Sequence, residues 1–261
     1  DKAPELLRAM GRAINQLAGR YWTAEDMGMN PEDMAEIARR TRFVAGRDEG
    51  AHASGDPSPV TAQGVFNAMR VGTGSAFGSR DLTGRRVAVQ GLGHVGWHLC
   101  RLLDVAGARL IVADMDRVRL AETVRAFDAE EADPMRIHAA EADILAPCAI
   151  GGILNEASIP EIRARLVAGA ANNQLATDAD AYRLQSHGIL YLPDYVANGG
   201  GIINVAAEIL RIEDRGPWVA QRLASLEATM ERIVTRAAGE GKSPAVLADQ
   251  IAEERMLPKA G

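Results

Sequence analysis

The stretch VAVQGLGHVGWHLC, residues 87–100, changes character twice along its length. It begins with apolar residues, breaks at Gly91, Gly93 and Gly96, and then continues with apolar side chains at helical spacing. This order predicts a buried strand, a tight glycine turn and a helix. The glycines form the pattern G-x-G-x-x-G, which is weak evidence of a binding site when it stands alone, because glycine-rich turns are common.

The alternation of short apolar runs with helical patterns continues from this stretch towards the C-terminus. Helices are predicted over residues 95–105 and Arg117–Phe127, and the predicted strands are Arg86–Gln90, Arg109–Ala113, 136–138, 143–146, 166–169 and 189–192. Strands that alternate with helices pair in parallel through right-handed crossovers, which leaves helices on both faces of the sheet. The predicted fold class is therefore α/β, with a doubly wound parallel sheet.

Helical patterns also precede and follow the predicted sheet. Residues 4–18 carry an apolar helical stripe, Asn30 precedes a proline as a predicted N-cap, and a further helix is predicted over residues 60–75. The glycine- and proline-rich residues 46–59 predict a loop. C-terminal helices are predicted over residues 199–212, 218–241 and 243–255, the last one capped by Ser243.

The composition limits the classes of function. A length of 261 residues suits one large domain or two modest ones, and a net charge of −6 argues against a nucleic-acid partner. No window reaches the roughly 18 consecutive apolar residues that a membrane span needs, and the first residues do not read as a signal peptide. Cys100 and Cys148 lie in apolar runs, which favours reduced thiols and a cytoplasmic location.

The context of the glycine turn favours a bound dinucleotide, NAD. Gly91 permits the tight turn, Gly93 lets a pyrophosphate approach the backbone, and Gly96 lets the helix pack against the strand. Asp114 ends the next predicted strand and would accept hydrogen bonds from the adenosine ribose, which favours NAD over NADP. The predicted cofactor contacts in the turn itself are Gly91, Leu92, Gly93, His94, Val95 and Gly96.

Two neighbouring features keep alternatives open. Arg117 and Arg119 lie close to Asp114 and could favour a 2′-phosphate, although arginines on a first helical turn are more often solvated. His94 lies within the turn, where a solvent-facing loop histidine is a better interpretation than a catalytic one, because the phosphate end of the cofactor is remote from the nicotinamide.

Four further segments carry a resemblance. The chain resembles the glutamate/leucine/phenylalanine/valine dehydrogenase family, and its leucine dehydrogenase branch most of all, from about residue 6 to residue 255. The segments are GRYWTAEDMGMNPEDM (19–34), SGDPSPVTAQGVFNAM (54–69), DILAPCAIGG (143–152) with VAGAANNQL (167–175), and LPDYVANGGGIINVAAE (192–208). Together and in this order they are far more specific than the glycines alone.

The resemblance implies reversible oxidative deamination of a branched-chain aliphatic L-amino acid by a homo-oligomer, with NAD as the hydride acceptor and no metal. It implies a Rossmann-type domain over residues 59–200, the remainder of a substrate domain over residues 1–58, and C-terminal helices over residues 201–261 that return to the cleft. Asp26 matches the catalytic aspartate that shuttles a proton; without the resemblance it reads as an ordinary loop acid.

The resemblance assigns the remaining site residues in the same way. The matches to cofactor contacts are Thr61, Ala149, Ala171 and Asn172. The matches to the substrate pocket are Ala24, Asn172, Asn173, Ile202 and Val205. Either asparagine could instead be a turn former, and Ile202 and Val205 could be helix core. Small and branched side chains favour a leucine- or valine-sized substrate, although a phenylalanine-type selectivity stays open, because one methylene contributes only about 1–3 kcal/mol.

The chain departs from the family in its lysines. The family activates its substrate with lysines, one of them in a G-G-G-K stretch upstream of the aspartate, whereas the lysines here are Lys2, Lys242 and Lys259, and none fits that role. Most of the substrate domain of a typical member, with its catalytic lysine, is therefore expected to be absent from this chain. Either the chain is a fragment, or it is a short form that binds NAD without turnover.

Besides an amino-acid dehydrogenase and a protein that binds NAD without turnover, a third hypothesis is a dehydrogenase of the same fold that acts on 2-hydroxy acids. It needs a histidine paired with a carboxylate near the cleft. His138 is predicted on a peripheral strand and His187 at a helix end, so neither position suits that role.

Overall fold

The computed structural model describes residues 2–26, 28–47, 49–50 and 52–256. These residues form two compact units, the first comprising residues 1–60 and 201–222 and the second residues 61–200 and 223–261. Each unit is therefore built from two separate segments of the chain. The roles that the resemblance implies for residues 1–58, 59–200 and 201–261 stay predictions.

The second unit is built on one parallel sheet. Its strands are β1 (Arg86–Gln90), β2 (Arg109–Ala113), β3 (Glu130–Glu131), β4 (Ile144–Pro147), β5 (Leu166–Val167) and β6 (Leu190–Tyr191). Their order across the sheet is β3-β2-β1-β4-β5-β6, and every pair is parallel. This order confirms the predicted doubly wound α/β fold, and it places the point where the strand order reverses between β1 and β4.

Helices account for most of the remaining chain, and those of the second unit cover both faces of this sheet. They are α1 (Pro4–Gln16), α2 (Pro31–Ala38), α3 (Ser58–Phe77), α4 (His94–Val105), α5 (Arg117–Phe127), α6 (Ala179–Ser186), α7 (Asp194–Ala197), α8 (Gly200–Ile209), α9 (Arg215–Glu240) and α10 (Pro244–Met256). Two apolar clusters pack against the sheet, one around Val87, Val89 and Leu99 and the other around Ala88, Ile111 and Leu145. Alternate residues of β1 thus face opposite layers, as the pleat of a strand requires. No helix among the described residues is both long and apolar enough to cross a membrane.

One predicted strand of this unit is wrong, and one observed strand was not predicted. Residues 136–138 are not a strand: Ile137–Ala139 form a short 3-10 helix that buries Ile137, so His138 lies on that turn rather than on a peripheral strand. The edge strand is instead Glu130–Glu131, two acidic residues whose backbone pairs with Ile111 and Val112. A single buried side chain in a short turn gives the same local pattern as a short strand, which explains the error.

The first unit has its own small core, formed by Leu7, Ile14, Met34, Ile37 and Phe43. Helix α2 begins as predicted, because the side chain of Asn30 accepts from the N–H of Asp33 at 2.9 Å and the Asp33 carboxylate accepts from the N–H of Asn30 at 3.1 Å. This reciprocal pair is a capping box. In the second unit, the predicted side-chain cap of α10 is wrong, since the buried hydroxyl of Ser243 finds no hydrogen-bond partner among the described residues.

Candidate functional site

The glycine turn at the end of β1 depends on the absence of side chains. Gly91 has φ +90°, and a Cβ there would lie 2.7 Å from the Cβ of Ala149. A Cβ on Gly96 would collide with the carbonyl oxygen of Gly91, whereas a Cβ on Gly93 would meet no atom within 4 Å. Gly91 and Gly96 therefore serve the fold, and Gly93 leaves open space beside the N-terminus of α4. The N-terminal ends of helices are suited to bind anions.

Asp114 is bound directly to this turn. Its Oδ2 accepts from the N–H of Leu92 at 2.6 Å, and its Oδ1 accepts from the N–H of Asp116 at 2.8 Å. The N–H of Gly91 donates to the carbonyl of Ala113 at 2.8 Å, which holds the start of the turn against the end of β2. Two main-chain donors thus fix the carboxylate, and each oxygen keeps a lone pair for a further donor such as a ribose hydroxyl.

The strand ends beside β1 bring three more predicted residues to the same edge of the sheet. Ala149 lies against Gly91, and Ala171 donates its N–H to the carbonyl of Pro147 at 2.9 Å. The carbonyl of Asn173 accepts from the N–H of Gly152 at 2.7 Å, which joins the loop after β5 to the loop after β4. The carboxyl ends of parallel strands, at the point where the strand order reverses, are where open α/β sheets bind their ligands.

The loop that carries Asn172 and Asn173 is held by side chains from the PDYVAN segment. Asn198 donates from Nδ2 to Oδ1 of Asn172 at 2.6 Å and to the carbonyl of Ala170 at 3.2 Å. The buried Asp194 carboxylate accepts from the Tyr191 hydroxyl at 3.1 Å and from the Gln174 N–H at 3.3 Å. Burial and the nearby Asp194 charge raise the pKa of Tyr191, so its hydroxyl stays a donor.

The thiol of Cys148, which follows β4 at this edge of the sheet, is not a nucleophile. Burial raises the pKa of Cys148 to about 12, so the thiol is protonated at neutral pH. Burial also raises the pKa of Cys100 on α4. Both cysteines are unpaired, as the sequence predicts.

Two predicted cofactor residues lie at helix starts in the second unit. Thr61 is in the first turn of α3 and is half-buried, and His94 is the exposed first residue of α4. The position of His94 beside the open space at Gly93 keeps it close to the proposed phosphate site. Contacts of both side chains with a cofactor stay predictions.

Ala24, Asp26, Ile202 and Val205 belong to the first unit, whereas the other predicted substrate residues, Asn172 and Asn173, belong to the second. Ala24 follows Thr23, whose N–H donates to the carbonyl of Phe43 at 3.1 Å, and Asp26 lies exposed just beyond. On α8, the side chain of Ile202 is 68% exposed while that of Val205 is 5% exposed. Ile202 is therefore accessible to a substrate, and Val205 packs within the unit.

A buried carboxylate that the sequence analysis missed organises this unit. Glu208 on α8 is 4% exposed, and its Oε2 accepts from the N–H of Gly46 at 2.8 Å and from the hydroxyl of Ser54 at 2.7 Å. Its Oε1 accepts from Nε of Arg47 at 2.8 Å. Burial alone would raise the pKa of Glu208, but these hydrogen bonds outweigh burial and lower it.

Glu208 and its neighbours connect the loop that precedes α3 to the helix that carries Ile202 and Val205. The carbonyl of Ser54 also accepts from Nδ2 of Asn204 at 3.3 Å and from Arg215 at 2.8 Å. One signal for this network was present in the sequence, since Glu208 is the only charged residue in the run GGGIINVAAEIL. A lone charge in an apolar helix is expected to be paired when buried.

The described lysines are engaged in surface contacts. Lys2 donates to Asp33 at 2.7 Å and to the carbonyl of Gly28 at 2.6 Å, and Lys242 donates to Glu240 at 2.8 Å. Lys259 lies outside the described residues. The structure thus gives neither Lys2 nor Lys242 the environment of a catalytic amine.

Comparison with known proteins identifies the family. A family model described as Glutamate/Leucine/Phenylalanine/Valine dehydrogenase matches residues 112–255. Leucine dehydrogenase of Bacillus cereus is 41% identical over 256 residues, which are 98% of this chain and 69% of that protein. The chain belongs to this dehydrogenase family. It is therefore an amino-acid dehydrogenase, and the resemblance predicted from its motifs is confirmed.

Other members of the family show how widely its substrates vary at similar distance. Phenylalanine dehydrogenase of Thermoactinomyces intermedius is 40% identical over 98% of this amino-acid dehydrogenase and 70% of its own length. The crystal structure of L-tryptophan dehydrogenase from Nostoc punctiforme matches with a TM-score of 0.81 and 38% identity, over 97% of this chain and 72% of that one. Relatives named for aliphatic and aromatic substrates are thus almost equally similar.

Proposed function

We propose that this amino-acid dehydrogenase oxidises a branched-chain aliphatic L-amino acid, leucine or valine, to its 2-oxo acid and ammonia, with NAD as the hydride acceptor. The observation that carries the proposal is the glycine turn with Asp114 bound to it. The open space at Gly93, the N-terminus of α4 and the fixed carboxylate suit a pyrophosphate and a ribose in that order along the edge of the sheet.

The nicotinamide would supply the hydride chemistry when bound, and the chain's own residues would bind and orient both reactants. Ala149, Ala171 and Asn172 occupy the strand ends next to the turn, where the loop is held by Asn198 and Asp194. A loop fixed from several sides can hold a substrate near attack geometry, which reduces the entropy cost of reaction.

Asp26 is the proposed proton shuttle of the deamination. Forming and breaking the imine requires protons to move between the substrate nitrogen, the attacking water and the enzyme, and a carboxylate at a cleft can carry them. Asp26 is exposed, so it can exchange protons with solvent. Its part in catalysis is a proposal that comes from the family match.

We assign the aliphatic preference to Ala24 and Ile202, and Val205 would contribute only through its packing, because it is buried within the unit. The exposed Ile202 offers a branched apolar surface, and Ala24 adds little volume. Selection by such a pocket is limited to about 1–3 kcal/mol for each methylene. An aromatic substrate is the second candidate, because phenylalanine and tryptophan dehydrogenases are about as similar to this chain as leucine dehydrogenase is.

The direct test is NADH formation by the protein expressed from its whole reading frame. We expect absorbance of NADH with L-leucine or L-valine and NAD at alkaline pH, and a higher kcat/KM for these than for L-phenylalanine. Turnover with aromatic substrates only would favour the second candidate. Calorimetric binding of NAD without turnover of any amino acid would establish a non-catalytic NAD-binding module and reject the proposal.

A pair of variants separates Asp26 from general surface charge. Asp26→Asn keeps the shape of the side chain but removes the proton carrier, so kcat should fall about 10²- to 10⁴-fold with NAD affinity unchanged. Glu32→Gln, at an exposed carboxylate in the first turn of α2, is the matched control and should leave kcat unchanged. Equal kcat values in the two variants would reject the assignment of Asp26.

We further propose a cytoplasmic homo-oligomer, as in the family that the motifs resemble. The unpaired cysteines fit a reducing compartment. Exposed apolar side chains on α1, Leu6 and Met10, offer contact area for another subunit. Sedimentation velocity of the whole protein tests this proposal, and a monomer at micromolar concentration would reject it.

A further inference from the structure

Two more acidic residues, Asp116 and Glu131, belong to the segments next to the carboxylate that would bind the adenosine ribose. Asp116 lies two residues beyond Asp114, and its own N–H donates to Asp114 at 2.8 Å. Glu131 lies on β3, beside β2, which ends one residue before Asp114. Arg117 and Arg119, which follow Asp116 on α5, are the cations of this region that could attract a 2′-phosphate.

Asp116 already occupies the N-terminus of α5. Its Oδ1 accepts from the N–H of Val118 at 2.9 Å and from the N–H of Arg119 at 3.3 Å. A helix N-terminus attracts anions through its unpaired N–H groups and its dipole. Because Asp116 binds those groups itself, this terminus presents a carboxylate where it could otherwise have bound a phosphate.

Both arginines are drawn towards acidic partners. Arg117 donates to Glu131 at 2.9 Å, and Nε of Arg119 lies 3.5 Å from Asp116. The side chains of Arg117 and Arg119 are 76% and 56% exposed, and exposed ion pairs hold their partners only weakly. The pairs orient the arginines without locking them, so the fixed charge of Asp116 should be the stronger influence on a nearby phosphate.

We propose that Asp116 is a second determinant of cofactor selectivity, acting with Asp114 to exclude the 2′-phosphate of NADP, and that Glu131 adds a smaller effect by holding Arg117. A ribose hydroxyl can approach two carboxylates, whereas a dianionic phosphate is repelled by both. The proposal rests on the proposed function, since it requires the ribose to bind at Asp114.

The test compares the dissociation constants of NADH and NADPH, measured by fluorescence titration of the whole protein. Asp116→Asn keeps a strong N-cap and removes the charge, so it should tighten NADPH relative to NADH by about tenfold. Glu131→Gln should change the same ratio by about threefold or less, because its ion pair is exposed. The double variant Asp114→Asn with Asp116→Asn should favour NADPH more than either single variant does.

The matched control is Asp178→Asn, which removes a carboxylate from the residue before α6, where the side chain makes no capping hydrogen bond. Its ratio of dissociation constants should equal that of the unaltered protein. If the unaltered protein binds NADH and Asp116→Asn leaves the ratio unchanged, the selectivity proposal is overturned while the proposed function stands. If the unaltered protein binds neither nucleotide, the proposed function fails and the selectivity proposal fails with it.

Discussion

The two units organise their candidate site residues by different means. The second unit shapes its glycine turn through close backbone contacts, in which Gly91 touches Ala149 and Gly96 touches Gly91. The first unit relies on one buried charge, Glu208, which binds main-chain and side-chain donors from a loop more than 150 residues away. The steric constraint of the turn is visible in the sequence, because only glycine satisfies it. A buried carboxylate that accepts several hydrogen bonds is harder to recognise, because any acidic residue on an apolar helix gives the same local pattern.

The largest loss of stability is expected from a substitution in the glycine turn, which tests the close backbone contacts of the second unit. Gly96→Ala places a Cβ against the carbonyl oxygen of Gly91, so the turn must open. We expect the free energy of unfolding to fall by about 3 kcal/mol or more and NAD binding to be lost. Urea unfolding and calorimetry measure the two quantities.

Gly93→Ala is the matched control for this substitution. Gly93 has an ordinary φ of −65°, and its Cβ would meet no atom within 4 Å, so stability should be kept. The methyl group would still occupy the space proposed for the pyrophosphate, so NAD affinity should fall. A Gly93→Ala variant that binds NAD as tightly as the unaltered protein would contradict the proposed position of the cofactor.

The next effect tests the charge in the first unit. Glu208→Gln puts an amide N–H₂ among donors in place of one acceptor oxygen and removes the negative charge that pairs with Arg47. We expect a loss of about 2–4 kcal/mol in the free energy of unfolding. Faster hydrogen exchange at the amides of Gly46 and Ser54 should accompany it, since both donate to Glu208. Glu231→Gln, at an exposed partner of Arg80, is the control and should change neither measurement.

The pH dependence of stability sharpens the same contrast. Because the folded pKa of Glu208 lies below its ordinary value of about 4.5, the folded state favours the ionised form. Its contribution is complete above the unfolded pKa and is lost as the pH falls through the lower folded pKa. Urea unfolding of the unaltered protein should therefore show a steeper loss of stability with acid than Glu208→Gln does. Parallel pH profiles would contradict this account.

The smallest effect is expected at an exposed ion cluster of the second unit. Arg236 on α9 donates to Glu240 at 2.7 Å and to Glu254 of α10 at 2.9 Å, and these bonds raise its pKa. Arg236→Lys loses the fork geometry that binds two carboxylates. We expect a slight decrease in Tm that disappears at high salt, because exposed pairs are screened. A decrease in stability as large as that expected for Glu208→Gln would contradict the view that the buried charge stabilises the protein more than the exposed ion pairs do.

The parts of the fold that the sequence predicted are those with dense local signals. The helix Arg117–Phe127 has the predicted bounds, and the capping box of α2 follows from Asn30 and the acids after it. The strand Glu130–Glu131 was missed because exposed acids carry no apolar alternation, and only its pairing with β2 makes it a strand. Such pairing connects residues far apart along the chain, which a local pattern does not record.

The candidate site shows the same limit. The turn at Gly91 and Gly96 and the position of Asp114 beside it were predictable, because their steric and hydrogen-bonding reasons belong to short segments. The roles of Gly93 and Asp114 in binding NAD stay predictions. The partners of Asn172 and of Glu208 come from other segments, so the positions of Asn198 and Ser54 could not be derived from spacing. The local pattern predicted Ser243 as the cap of α10, but tertiary packing buries its hydroxyl without a hydrogen-bond partner among the described residues.

The sheet ends on both sides in strands of only two residues, Glu130–Glu131 and Leu190–Tyr191, while β1 and β2 have five each. A strand from another molecule that paired with an edge of this sheet would find few main-chain groups to hydrogen-bond. At the Glu130–Glu131 edge it would also meet two negative charges. Short and acidic borders of this kind discourage edge-to-edge aggregation, which protects a protein whose interior strands are strongly apolar.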